Sequence, residues 1–376
     1  MYKHLFFLRR LLLGIVTAGM FACGKAVAAA PATVADPLDR PAVMVRVPGN
    51  AYLTGLAQAG KRLVGVGERG IIVLSDDGGT TWRQAKSPTS VTLAAVQFPT
   101  PTQGWAVGHY GVILHSADGG ESWTRQLDGM QAAQLALADA QSRSAPGDDG
   151  RYLAEAKRLV ADGADKPFLG VHFADARNGF AVGAYNLAFR TRDGGKTWQP
   201  WLSRLDNARG NHLYAVQAAR NAVYIAGEQG VLLRSLDDGE RFERLDTGYK
   251  GSFFALAVRG AEVVLAGLRG NAFRSADRGD TWEKLVVPVP VSITALGRRL
   301  DGTLLLANQA GQLLATTGST AAMVPLPTGG LPPLNDIVVQ PDGSIVAASM
   351  FGAIRLPALP PTKPTPPTPS HSIAAK

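Results

Sequence analysis

The chain has 376 residues, 46% of them hydrophobic, with 43 glycines, 24 prolines and a single cysteine, a turn-dense composition that suits a globular, mostly β protein. Its formal charge is +8, but Lys3, Arg9, Arg10 and Lys25 all stand within residues 1–28, where there is no acid, so the rest of the chain carries 34 bases against 30 acids. That small excess excludes a nucleic-acid binder of the basic-patch kind, and no later segment is apolar over the length that spans a bilayer.

Residues 1–28 read as a secretory signal peptide. "MYKHLFFLRR" is a basic start, "LLLGIVTAGMFAC" an apolar stretch and "GKAVAAAPA" a small-residue cleavage region. Cleavage is expected after Ala28, because a cut after Ala30 would place Pro31 at the scissile bond. The expectation is an exported, periplasmic protein, on the side equivalent to a lumen, with no transmembrane helix once the leader is removed. Cys23 offers the alternative of a lipid anchor, although the preceding "MFA" departs from a lipobox.

"AVMVRVP", residues 42–48, alternates like a strand. Seven similar units follow, with middles "VGVGERGIIVLS", "AVGHYGVILHS", "AVGAYNLAFRT", "IAGEQGVLLRS", "LAGLRGNAFRS", "LANQAGQLLAT" and "AASMFGAIRL". Their anchors Gly70, Gly111, Asn186, Gly230, Gly270, Gly311 and Gly352 are separated by 41, 75, 44, 40, 41 and 41 residues. Asn at the third anchor tolerates a left-handed backbone almost as glycine does. Short strands at this period predict a seven-bladed all-β propeller over residues 42–356, made of four-stranded antiparallel blades. The last unit lacks a fourth strand, so residues 42–48 are expected to complete it as a latch that closes the ring.

Five units carry an Asp box, Ser-x-Asp-x-Gly-x-Thr-Trp. The copies place Asp77, Gly79 and Trp82; Asp118, Gly120 and Trp123; Asp193, Gly195 and Trp198; Asp237, Gly239 and Phe242; and Asp277, Gly279 and Trp282. The carboxylate suits a turn, accepting N–H bonds from residues just ahead of it, and the aromatic ring suits burial between blades. Each copy fixes a single Asp, and Arg192 stands beside Asp193, so the boxes are read as structural and no bound metal is expected.

The 75-residue step holds an Ala- and Leu-rich insertion at 129–163. "APGDDG" divides it into helices at 130–143 and 151–162, a helical hairpin between blades 2 and 3. After Leu356 the chain becomes a Pro-rich tail, 357–376, expected to be disordered.

Loops on a rigid ring commonly carry function, and the variable residues before each anchor share one face. A partner-binding surface is therefore expected at Glu68, Arg69, His109, Tyr110, Tyr185, Glu228, Gln229, Leu268, Arg269, Gln309, Met350 and Phe351. No histidine pair has metal-ligand spacing, and no nucleophile elbow or phosphate-binding loop occurs. No cofactor and no catalytic residue are expected. Asp boxes also occur in sialidases, and "VRVP" around Arg46 is similar to the first arginine motif of those hydrolases. A glycan-binding or glycan-hydrolysing propeller is thus the alternative reading.

The units "GWAVGHYGVILHSADGGESW" and "GFAVGAYNLAFRTRDGGKTW" resemble those of the photosystem II stability/assembly factor family, over about residues 50–356. The resemblance implies an exported, non-enzymatic, monomeric propeller that docks on a membrane-protein complex or another exported protein. In non-photosynthetic bacteria it implies an accessory of membrane machinery such as resistance-nodulation-division exporters. The family's arginine patch would fall here on Arg69 and Arg269, and the helical insertion departs from the family's short repeats.

Overall fold

A computed structural model of the chain describes residues 35–143, 150–316 and 321–359. The segment expected to be a signal peptide (residues 1–28, with Cys23) and residues 360–376 of the tail lie outside the described residues. Among those described, no helix is long and apolar enough to cross a membrane.

Seven antiparallel sheets form a propeller, with blades at 53–84, 93–127, 168–200, 213–244, 253–284, 293–325 and 334–356. Strands in each blade pair in sequence order, from an inner strand beside the ring axis to an outer strand. The second strands are Val-, Ala- and Leu-rich and almost wholly buried, because blades pack on both of their faces. The buried apolar residues form seven clusters, and each cluster joins two consecutive blades.

The first six blades have four strands and the seventh has three. Residues 42–48 do not complete it. They form no strand, and they lie along the outer edge of blade 1 instead. There the Ala42 amide donates to Ser87 O, and the Gln84 carboxamide accepts from Val45 N at 2.8 Å and donates to Val43 O at 3.0 Å. This one side chain supplies both a donor and an acceptor, as a neighbouring strand would. The alternation of Val43, Val45 and Val47 therefore signals no buried face, since all three are exposed.

The ring closes through side chains. Val346 and Ala348 of blade 7 share a core cluster with Leu53, Leu63 and Val73 of blade 1. Asn335 Nδ2 donates to Leu53 O at 2.7 Å, Leu56 N donates to Asp336 Oδ2 at 2.9 Å, and Gln340 and Arg355 both donate to Gly78 O at 3.0 Å.

The insertion forms α1 (Gly129–Arg143) and α2 (Arg151–Asp162). Asp128 and Gln131 cap α1 reciprocally, each side chain accepting the other's backbone N–H. Ala132, Ala133, Ala136 and Ala140 are buried and join Ala156 and Leu159 of α2 in the cluster between blades 2 and 3. Small side chains let the hairpin lie close against the ring and against itself, and Tyr152 Oη donates to Asp139 Oδ2 at 2.9 Å across the two helices.

Candidate functional site

Both ends of the third strand of a blade have their own chemistry. At one end lies the Asp box. Ser75 Oγ donates to Asp77 Oδ1 at 2.8 Å and accepts from Gly79 N at 2.8 Å, while the Thr80 and Thr81 amides and the Thr81 hydroxyl donate to the Asp77 carboxylate. The same set recurs around Asp118, Asp193 and Asp277. The donors stand three and four residues ahead, farther than an Asx turn reaches, because two successive residues in the left-handed region widen the loop: a Gly–Gly pair in the first three of these boxes, Arg278 and Gly279 in the last. The Thr81 and Thr281 hydroxyls and amides hold Asp77 and Asp277 down to about 2. In the fourth blade Arg241 replaces the hydroxyl residue; Asp237 keeps its Ser235 and backbone hydrogen bonds and gains a long ion pair with Arg241 at 3.9 Å. Trp123, Trp198, Phe242 and Trp282 pack in clusters shared with the preceding blade, and Trp82 packs in the cluster of blades 7 and 1. The hydrogen bonds that the box Asp carboxylates accept come from their own turns.

Beside the boxes, arginines meet acids across the blade seams. Glu240 of blade 4 accepts from Arg190 and Arg192 of blade 3 and from Arg204 in the turn that follows it. Arg190 is only 5% exposed and lies between the Phe180 and Trp201 rings, and burial lowers its pKa. Glu121 of blade 2 meets Arg62 and Arg83 of blade 1, and Asp280 of blade 5 meets Arg234 of blade 4.

At the other end of the third strand lie the variable loops. Glu68, Arg69, His109, Tyr110, Tyr185, Glu228, Gln229, Leu268, Arg269, Gln309, Met350 and Phe351 all sit in turns between second and third strands. All are exposed except Glu228, which is half-buried. Arg69, Tyr110, Tyr185, Gln229 and Arg269 have φ between 52° and 57°, a conformation held from outside. The Arg69, Tyr185 and Arg269 amides donate to Thr92, His212 and Ser292 on the next blade. The anchor after each is crowded, and a Cβ on Gly70 would stand 2.0 Å from Thr89 O. Asn186 fits at the third anchor because the 201–212 loop bends around it. Its amide donates to Leu202 O at 3.2 Å, and its carbonyl accepts from Asn207 at 3.0 Å.

These loops are distributed around the ring, and two features between them escaped the sequence reading. One is a row of aromatic rings from the outer turn of blade 3 inwards: Tyr185 to His212 at 4.7 Å, His212 to Tyr214 at 6.3 Å and Tyr214 to Phe254 at 5.2 Å. Lys166 lies over the Tyr185 ring at 5.0 Å. The other is the central channel, a cavity of about 290 Å³ lined by the inner strands of all seven blades. Tyr214 and Phe254 stand at the same repeat position 40 residues apart, which is the one sequence signal that could have paired them.

Arg46 is exposed in the segment along blade 1 and lies on no strand. Among the described residues no three His, Cys, Asp or Glu side chains gather as metal ligands.

This geometry defines a seven-bladed Asp-box propeller, with structural turns on one face and a chemically varied loop face on the other. Within that class, the chain belongs to the family described as photosynthesis system II assembly factor YCF48, whose model matches residues 51–135 and 154–349. The unmatched gap falls in the helical hairpin. The photosystem II assembly lipoprotein Ycf48 of Synechococcus sp. (strain CC9902) is 32% identical over 77 residues, a match that spans 20% of this chain and 23% of that protein. In fold, the chain is similar to YCF48 bound to D1 peptide, with a TM-score of 0.60 and 16% identity over 89% of this chain and 99% of that one. It is similar also to YCF48 from Cyanidioschyzon merolae, with a TM-score of 0.59 and 14% identity over 84% and 98%.

Proposed function

We propose that this protein is an exported, non-enzymatic assembly or stability factor that docks on a membrane-protein complex through the loop face of its ring. Membership of the assembly-factor family supports a scaffold role, and a relative of the same fold is known with a peptide bound. The observation that carries the reading is the division of labour between the two faces. The box carboxylates are consumed by their own turns, whereas Arg69, Tyr110, Tyr185, Arg269, Met350 and Phe351 are exposed on loops whose backbone is fixed. Fixed loops present side chains without an ordering cost on binding.

The protein works in the periplasm after removal of residues 1–28, as a monomer. Its partner is an inner-membrane complex, of the resistance-nodulation-division exporter type where no photosystem is present. Crosslinking and co-purification from membranes test this. Arg69→Glu combined with Arg269→Glu is expected to reduce partner yield by tenfold or more in a folded protein. Unchanged yield would remove the loop face from the reading.

A further inference from the structure

We propose that the loop-face mouth of the central channel receives a lysine or arginine side chain from an extended apolar segment of the partner, with Asp336 as its counter-charge and Tyr214 and Phe254 as its wall. This rests on the docking reading above and gives it a place and a chemistry.

The argument starts from a repeated irregularity. Every inner strand breaks its register once, at its loop-face end: after Leu53, Leu93, Phe168, Leu213, Phe253, Ile293 and Leu334. A bulge re-aims the residues around it. The residues that resume pairing are Gly55, Ala95, Gly170, Ala215, Ala255, Ala295 and Asp336, and all of them line the channel. Six have at most one side-chain carbon, which opens the cavity. The seventh places a carboxylate in it.

Asp336 is held by neutral donors. Leu56 N reaches Oδ2 at 2.9 Å and Ile337 N reaches Oδ1 at 2.8 Å. Two amides leave lone pairs on each oxygen, and burial raises the pKa of the group to about 6. A cation in the channel would offset that burial.

The bulged residues divide the mouth in two. On blades 1, 6 and 7, Thr54, Thr294 and Asn335 donate to Leu93 O, Leu334 O and Leu53 O of the next blade. On blades 3 to 5, Leu169, Tyr214 and Phe254 form an apolar crescent beside the cavity. Aromatic faces and a carboxylate around one small void suit an alkylammonium or guanidinium head with an apolar stem. The aromatic row from Phe254 out to Tyr185 then offers apolar contact to the residues on one side of that basic residue. A single carboxylate is too poor a donor set for a divalent ion, and the channel's one charge repels an anionic side chain.

The test uses the full chain and fluorescently labelled peptides acetyl-Ala-Leu-X-Leu-Ala-amide, with X as Lys, Arg, norleucine or Glu, read by anisotropy at pH 7.5 and low salt. The Lys and Arg peptides are expected to bind at least tenfold more tightly than the norleucine and Glu peptides. Asp336→Asn should abolish that preference and Tyr214→Leu should weaken it, while Arg69→Glu with Arg269→Glu should leave it intact. Thermal melts confirm folding, and if Asp336→Asn does not fold, Tyr214→Leu with Phe254→Leu carries the test. No preference for a basic residue, or a preference that survives these variants, overturns the proposal. In that event, loss of partner co-purification in the double arginine variant would still support docking on the loop face. Basic-peptide preference without any membrane partner would sink the docking reading instead.

Discussion

Asp336 and His172 oppose each other in their effect on stability against pH, and single substitutions should expose each. Burial raises Asp336 from 3.8 to about 6. A raised carboxyl binds its proton more tightly in the fold than in the unfolded chain. Its stabilisation is therefore complete below pH ~4 and is lost as pH rises through ~6. Burial lowers His172 from 6.5 to about 4, with Gln97 Nε2 beside its Nδ1 at 3.3 Å. A lowered imidazole gives stability that is complete above pH ~6.5 and is lost as pH falls through ~4. Each two-unit shift corresponds to about 3 kcal/mol, so the slopes largely cancel between pH 4 and 6.5. Asp336→Asn should convert this flat region into a rise of about 3 kcal/mol with increasing pH, since only the histidine slope remains. His172→Gln, which keeps an amide beside Gln97, should give a fall of similar size, and the double variant should be flat again. Urea unfolding midpoints at half-unit steps from pH 4 to 7 measure this. An Asp336→Asn curve parallel to that of the parent over this range would refute the burial assigned to the channel carboxylate.

Three other perturbations address the frame. Ser75→Ala removes the hydroxyl that both donates to Asp77 and accepts from the buried Gly79 N–H; it should cost about 1–3 kcal/mol in urea unfolding and leave partner capture unchanged. Glu240→Gln leaves Arg190, only 5% exposed, without its carboxylate. It should cost about 1–2 kcal/mol at low salt, with a smaller loss at 1 M salt because Glu240 itself is partly exposed. Gly70→Ala forces a Cβ to within 2.0 Å of Thr89 O at φ 73°; the thermal midpoint should fall sharply, whereas Asn186→Gly should fall only by the loss of its bonds to Leu202 and Asn207.

Periodicity carried the sequence reading as far as the blades. Blade count, anchor positions and the 130–143 and 151–162 helices were legible because each depends on local spacing, on left-handed turns or on "APGDDG" as a breaker. Residues 42–48 misled for a physical reason. Alternation in Val43, Val45 and Val47 shows that a strand is possible, but pairing depends on what the backbone groups meet, and those of Val43 and Val45 meet the Gln84 side chain of blade 1. The channel mouth was illegible for a different reason. Tyr185, His212, Tyr214 and Phe254 belong to three repeats, and only the packing of one blade on the next makes them neighbours.

The charged seams show how near-identical repeats can be kept in one order. The residue before each box Ser or Thr is His115, Arg190, Arg234 and Arg274 in blades 2 to 5, and the variable residue after the shared box Gly (Gly120, Gly195, Gly239, Gly279) is Glu121, Lys196, Glu240 and Asp280 in the same blades. Arg190 faces the next blade's Glu240, and Arg234 faces the next blade's Asp280. Blade 6 has no box, and Arg274 turns instead to Glu262 of its own blade, which also takes Arg298 of blade 6. Where the next box carries Lys196, the preceding blade has His115, bonded within its own blade to Gln103 at 2.8 Å. An arginine there would meet a lysine, and like charges in contact oppose docking. The boxes give blades 1 to 5 the same turn, so the turn alone does not distinguish those neighbours. The variable position inside the box supplies the complement that the preceding blade expects. The residue that looks least constrained in the motif therefore helps to fix the order of the ring, and with it which loops stand side by side on the opposite face.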